Sequence, residues 1–69
     1  MGFNKYRLKS LRIERNLTVY RVAWETFIDA PTLHRMEDGG IKDPSICVVK
    51  ILADYYSVNI ETFRKGADV

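Results

Sequence analysis

The sequence predicts an all-α fold, and three observations carry that prediction. Apolar residues recur at helical spacing, cap-type residues cut the chain into short segments, and alternating β-type patterning is nearly absent. The 69 residues are expected to make one domain, 1–69, with little spare chain. A core this small is marginal, which favours tight helix packing or dimerisation.

Five helices account for nearly the whole chain. The first is predicted from Asn4 to Arg15, with Leu8 and Leu11 inward, and Asn16 ends it because asparagine tolerates left-handed backbone. Thr18 is the N-cap of the second helix, whose inward side is Val22, Ala23 and Thr26. Asp29 caps the third; Pro31 is tolerated in its first turn, and Gly39-Gly40 ends it. After the loop 41–44, Ser45 caps a fourth helix with Val49, Leu52, Ala53 and Tyr56 on one face. Asn59 caps a last short helix holding Ile60 and Phe63, and residues 65–69 are expected to fray.

Composition removes several classes of function. The net charge of +2 and isoelectric point near 8.9 permit nucleic acid without demanding it. Cys47 is the single cysteine, which excludes an internal disulfide and a cysteine-based zinc site, and the lone His34 excludes a histidine-rich metal cluster. The chain has no apolar run of membrane-spanning length and no signal-peptide pattern, so a soluble, cytoplasmic protein without a membrane partner is expected. Gly2 follows Met1, but Tyr6 stands where an acylation motif requires Ser or Thr. No glycine-rich phosphate cradle follows a strand, and the one His and one Cys lie in different helices. No catalytic residue, metal or cofactor is therefore assigned.

The stretch Leu17 to Gly39 is the most informative. It reads as two short helices and a tight turn. Ala23 is the small residue where the helices cross, Ile28 sits in the turn, and Leu33 and Met36 form the buried side of the second helix. That spacing suits a helix-turn-helix over about 18–38, whose second helix, about 30–37, enters a DNA major groove.

The ordered set Leu8-x-x-Leu11-Arg12, Leu17-Thr18, Val22-Ala23, Ile28-Asp29, Thr32-Leu33-x-Arg35-Met36-Glu37-x-Gly39 and Pro44-Ser45 with Val58 resembles the Cro/CI-type repressors, the xenobiotic-response-element family of helix-turn-helix regulators. The resemblance covers about residues 5–63. It implies a compact five-helix, lambda-repressor-like DNA-binding domain, a homodimer on a partly palindromic double-stranded operator, and transcriptional control by repression. It further implies a partly buried ion pair between Arg12 and Glu37 that positions the reading helix. Dimer contacts would come from Tyr56, Val58, Asn59, Ile60 and Phe63.

On this reading Ala30, Thr32, His34 and Arg35 face the bases, beside a rigid Pro31. Arg35 can donate twice to guanine or grip a phosphate, Thr32 can bond a phosphate or touch a thymine methyl, and Ala30 offers apolar contact alone. Phosphate contacts are assigned to Thr18 and Val19 at the start of the second helix, and to Gly39, Gly40 and Lys42 after the third. Lys5, Arg7, Lys9, Arg15 and Arg21 read as solvated surface charge.

The chain also departs from the family. Val19 stands where a phosphate-binding glutamine is usual, Asp38 where asparagine is common, and Thr26 where a large apolar residue is usual. Phe27 replaces the turn glycine at a position that requires positive φ, so a different turn geometry is expected. Tyr20, Trp24 and Phe27 fall beside the inward face of the second helix, and Val48, Ile51 and Tyr55 do the same on the fourth. Two readings stand side by side: the aromatics lie over the first helix, or they form a partner surface, since Trp and Tyr are favoured anchors. The function that competes with DNA reading is accordingly a protein-interaction module on a helix-turn-helix scaffold, using Tyr20, Trp24 and Phe27, with weak or lost DNA binding.

Overall fold

The computed structural model describes residues 3–64. They form four α-helices, α1 (Lys5–Glu14), α2 (Val19–Thr26), α3 (Ala30–Asp38) and α4 (Ile46–Tyr56), followed by a 3₁₀ turn, Ile60–Phe63. The expected fifth α-helix is thus corrected to this single tighter turn. Its four residues are too few for a sustained i→i−4 ladder, and it closes instead through bonds such as Thr62 N–H to the Asn59 carbonyl, 2.9 Å. The described residues contain no named strand, only an isolated bridge between Phe3 and Arg64. The expected fraying of 65–69 lies outside the described residues.

Side chains start most of the helices. Asn4 accepts from Arg7 N–H, Thr18 from Arg21 N–H, Ser45 from Cys47 N–H and Asn59 from Glu61 N–H. Asp29 occupies the N-cap position of α3 but makes no capping hydrogen bond; Pro31 pre-sets the first turn instead. Left-handed residues end them: Asn16, Phe27, Gly39 and Ser57 all have positive φ.

One apolar cluster joins the elements. Leu8, Val22, Leu33, Met36, Leu52 and Phe63 are essentially fully buried, and Leu11, Val19, Ile28, Val49, Ala53 and Tyr56 complete the core. α3 packs against both α1 and α2, so its inner face, Leu33, Met36 and Glu37, is fixed from two sides. Phe3 stacks on Phe63 at 5.6 Å and, with the bond from Asn4 N–H to the Phe63 carbonyl, ties the start of the described chain to its end.

Candidate DNA interface

The turn between α2 and α3 sets the geometry of everything outside it. Phe27 takes φ 62° and ψ 24°, so the different turn geometry expected from its bulk does not occur. The turn keeps its left-handed residue because Thr26 holds it. The buried Thr26 hydroxyl donates to the Val22 carbonyl at 2.7 Å and accepts from Ile28 N–H at 3.3 Å. A large apolar residue at 26 has no group to satisfy the Ile28 donor. Ile28 is buried beneath, and the Phe27 ring is left 94% exposed.

Arg12 and Glu37 fix α3 from behind. Arg12 Nε donates to Glu37 Oε2 at 2.8 Å and Nη2 to Oε1 at 3.0 Å, a bidentate fork. Nη1 donates to the Leu17 carbonyl at 2.8 Å. One guanidinium therefore joins α1, the α1–α2 connection and α3. The Glu37 hydrogen bond holds Arg12 above its ordinary pKa, against the opposing effect of burial.

On the other side of α3, Pro31, His34 and Arg35 are exposed, and Ala30 and Thr32 are half-buried. His34 meets the edge of the Tyr20 ring at 6.0 Å, so α2 contributes an aromatic neighbour to this surface. At the start of α2, Thr18 occupies the Arg21 N–H, leaving those of Val19 and Tyr20 in the first turn, where an α-helix supplies no acceptor. The Val19 side chain itself points into the core.

Three assignments made from sequence change here. The N–H groups of Gly39 and Gly40 are not free for a phosphate: both donate to the Arg35 carbonyl, as does Ile41 N–H. Tyr56 and Phe63 are 2% and 1% exposed, so the chain's own core covers them and they offer no surface for a dimer contact. Arg15 is not mere solvated charge. It donates to the Leu11 and Tyr56 carbonyls and lies 5.3 Å over the Tyr56 ring, closing the ends of α1 and α4. Val58 and Ile60 stay half-buried against the core, and Asn59 is exposed.

The aromatic stripe on α2 does not lie over α1. Tyr20, Trp24 and Phe27 are 71%, 80% and 94% exposed. On the neighbouring side of α2, Arg21 pairs with Glu25 at 3.0 Å, and Glu25 accepts a hydrogen bond from the Tyr55 hydroxyl of α4. That bond, with help from Arg21, holds the Glu25 carboxyl below its ordinary pKa.

No described helix is long and apolar enough to cross a membrane, and no group of three or more metal-ligating side chains occurs among the described residues. Two short helices meeting at a left-handed turn, the second buried on one side and presenting His34 and Arg35 on the other, define a helix-turn-helix DNA-binding domain. The family comparison says which kind. Residues 7–64 match the Cro/C1-type HTH DNA-binding domain, and the chain belongs to that family. No curated protein and no solved structure shows significant similarity to it.

Proposed function

We propose that this protein is a small transcriptional repressor that reads a partly palindromic operator as a homodimer, with α3 in the major groove. The observation that carries the reading is the division of α3. Leu33, Met36 and Glu37 are fixed inside, while the exposed Arg35 has no side-chain partner among the described residues. An unpaired guanidinium on a helix held this firmly suits bidentate contact with guanine. His34, Thr32 and Ala30 flank it as base-facing residues. Thr18, the Val19 N–H and Lys42 supply backbone contacts, and Val58, Asn59 and Ile60 are the remaining dimer contacts. The chain acts on this reading as a single helix-turn-helix domain. Selection of bound fragments from a random duplex pool tests it. The expected product is an inverted repeat with half-site centres about 34–36 Å apart, lost on Arg35→Ala. A pool without enrichment would remove the reading.

The exposure of Tyr20, Trp24 and Phe27 favours a second reading, in which the aromatic side of α2 binds a protein partner. That reading carries weak or lost DNA binding, and loss of function on Trp24→Ala in a still-folded protein, with Arg35→Ala leaving function intact, would select it.

A further inference from the structure

Gly39 and Gly40 end α3, yet their N–H groups are engaged by Arg35, so their importance lies elsewhere. A Cβ on Gly39 would stand 2.7 Å from Lys5 Nζ and 3.1 Å from Lys5 Cδ. The missing side chain is the space that the Lys5 stem and ammonium occupy. Beside it opens a cleft of about 590 Å³ between the start of α1 and the loop after α3, lined by Phe3, Asn4, Lys5, Tyr6, Gly39, Ile41 and Lys42. Two of those residues are cations, and none is acidic. Neither lysine has an ion-pair partner among the described residues. Lys5 is also placed rather than free: it is half-buried, and its ammonium lies 5.2 Å from the Tyr6 ring centroid. Asp43, the nearest acid in the loop sequence, lines a different cleft with Pro44 and Arg64.

We propose that this cleft is a phosphate site, in which Lys5 and Lys42 together hold a backbone phosphate of the DNA beside the C-terminal end of α3. It rests on the DNA-binding reading and adds a ligand from α1. Lys5 comes from α1 and Lys42 from the loop after α3, and both line the one cleft, with Tyr6 beside them. Gly39 is the residue that leaves room for the Lys5 stem and ammonium at this cleft.

The salt dependence of affinity counts such contacts, since each phosphate neutralised contributes about 0.9 to the slope of log K against log salt. The test measures that slope on one selected duplex for the wild type, Lys5→Gln, Lys42→Gln and Lys9→Gln. Lys9 is an exposed α1 lysine outside the cleft. A shallower slope is expected for each of the first two variants, the loss for Lys5→Gln and Lys42→Gln combined being roughly 0.9 for the one phosphate they share, with no change for Lys9→Gln and the wild-type value kept by Lys5→Arg. A Lys5→Gln slope equal to the wild type, with a lowered melting temperature, would make Lys5 a packing residue and overturn the proposal while leaving DNA binding intact. Wild-type protein that binds no duplex would overturn both. Amide shifts at 39–42 on adding inorganic phosphate at constant ionic strength separate the sources. Saturation there, with DNA slopes unchanged, would assign the cleft to free phosphate and overturn the DNA contact.

Discussion

Phe27→Gly should stabilise the protein, although it deletes the largest apolar side chain of the turn. Phe27 sits at φ 62° with its ring 94% exposed, so removing the ring forfeits almost no buried area. Left-handed backbone costs a residue with a Cβ about 1–2 kcal/mol. Glycine at the same place costs about 0.4–1 kcal/mol through the greater freedom of the unfolded chain. The net is a gain of about 0.5–1 kcal/mol, which in a domain of this size raises the melting temperature by roughly 3–6 °C. Thermal unfolding followed by circular dichroism reads it directly. Phe27→Ala is the control, because it removes the ring and keeps the Cβ. If the gain comes from the backbone, alanine stays near the wild type. Equal gains for both variants would refute the strain argument, and a lower melting temperature for glycine would mean that the ring makes a stabilising contact.

Arg12→Met leaves the Glu37 carboxylate, whose side chain is 6% exposed, without its partner. A loss of about 3–5 kcal/mol is expected in urea unfolding, a large part of the stability of a domain this small, and Arg12→Met with Glu37→Met together should recover most of it. Trp24→Ala should leave the unfolding free energy within about 0.5 kcal/mol of wild type, because the indole is 80% exposed; a larger loss would place it in the core. Burial pushes the Tyr56 phenol up to about 12. The folded value lies above the unfolded value of about 10, so its contribution is complete below pH 10 and is lost as pH rises towards 12. Melting curves across that window should fall less steeply for Tyr56→Phe.

Much of this fold is written in local signals. Asn16, Thr18, Ser45 and Asn59 each occupy the turn or cap that their chemistry suggests, and Leu8, Leu33, Met36 and Leu52 lie inside as their spacing implies. What escaped was relational. The hydroxyl of Thr26 rescues a turn that Phe27 alone would disfavour, and that partnership needs both dihedral angles to be known. Glycines after a helix look like phosphate donors until a carbonyl, here that of Arg35, is seen to take their N–H groups. Tyr56 and Phe63 are apolar in either a core or a dimer seam, and only the depth at which the chain closes on itself separates the two. The aromatic stripe of α2 was visible by angle, whereas its exposure depended on where α1 lies. The exposure of Arg35 and His34 was legible from their place on α3; the cleft that Lys5 shares with Lys42 joins segments more than thirty residues apart.

The grip of Arg12 on Glu37 and Leu17 has a consequence for how such a protein can diversify. The orientation of α3 is decided on its hidden side, by the Arg12 fork on Glu37 and its bond to the Leu17 carbonyl. Residues 31, 34 and 35 on the outer side can then change identity without asking anything new of the scaffold. On the proposed operator-reading function, stability and recognition become separable inheritances, and a new operator preference would arise from one or two exposed substitutions on an unaltered frame.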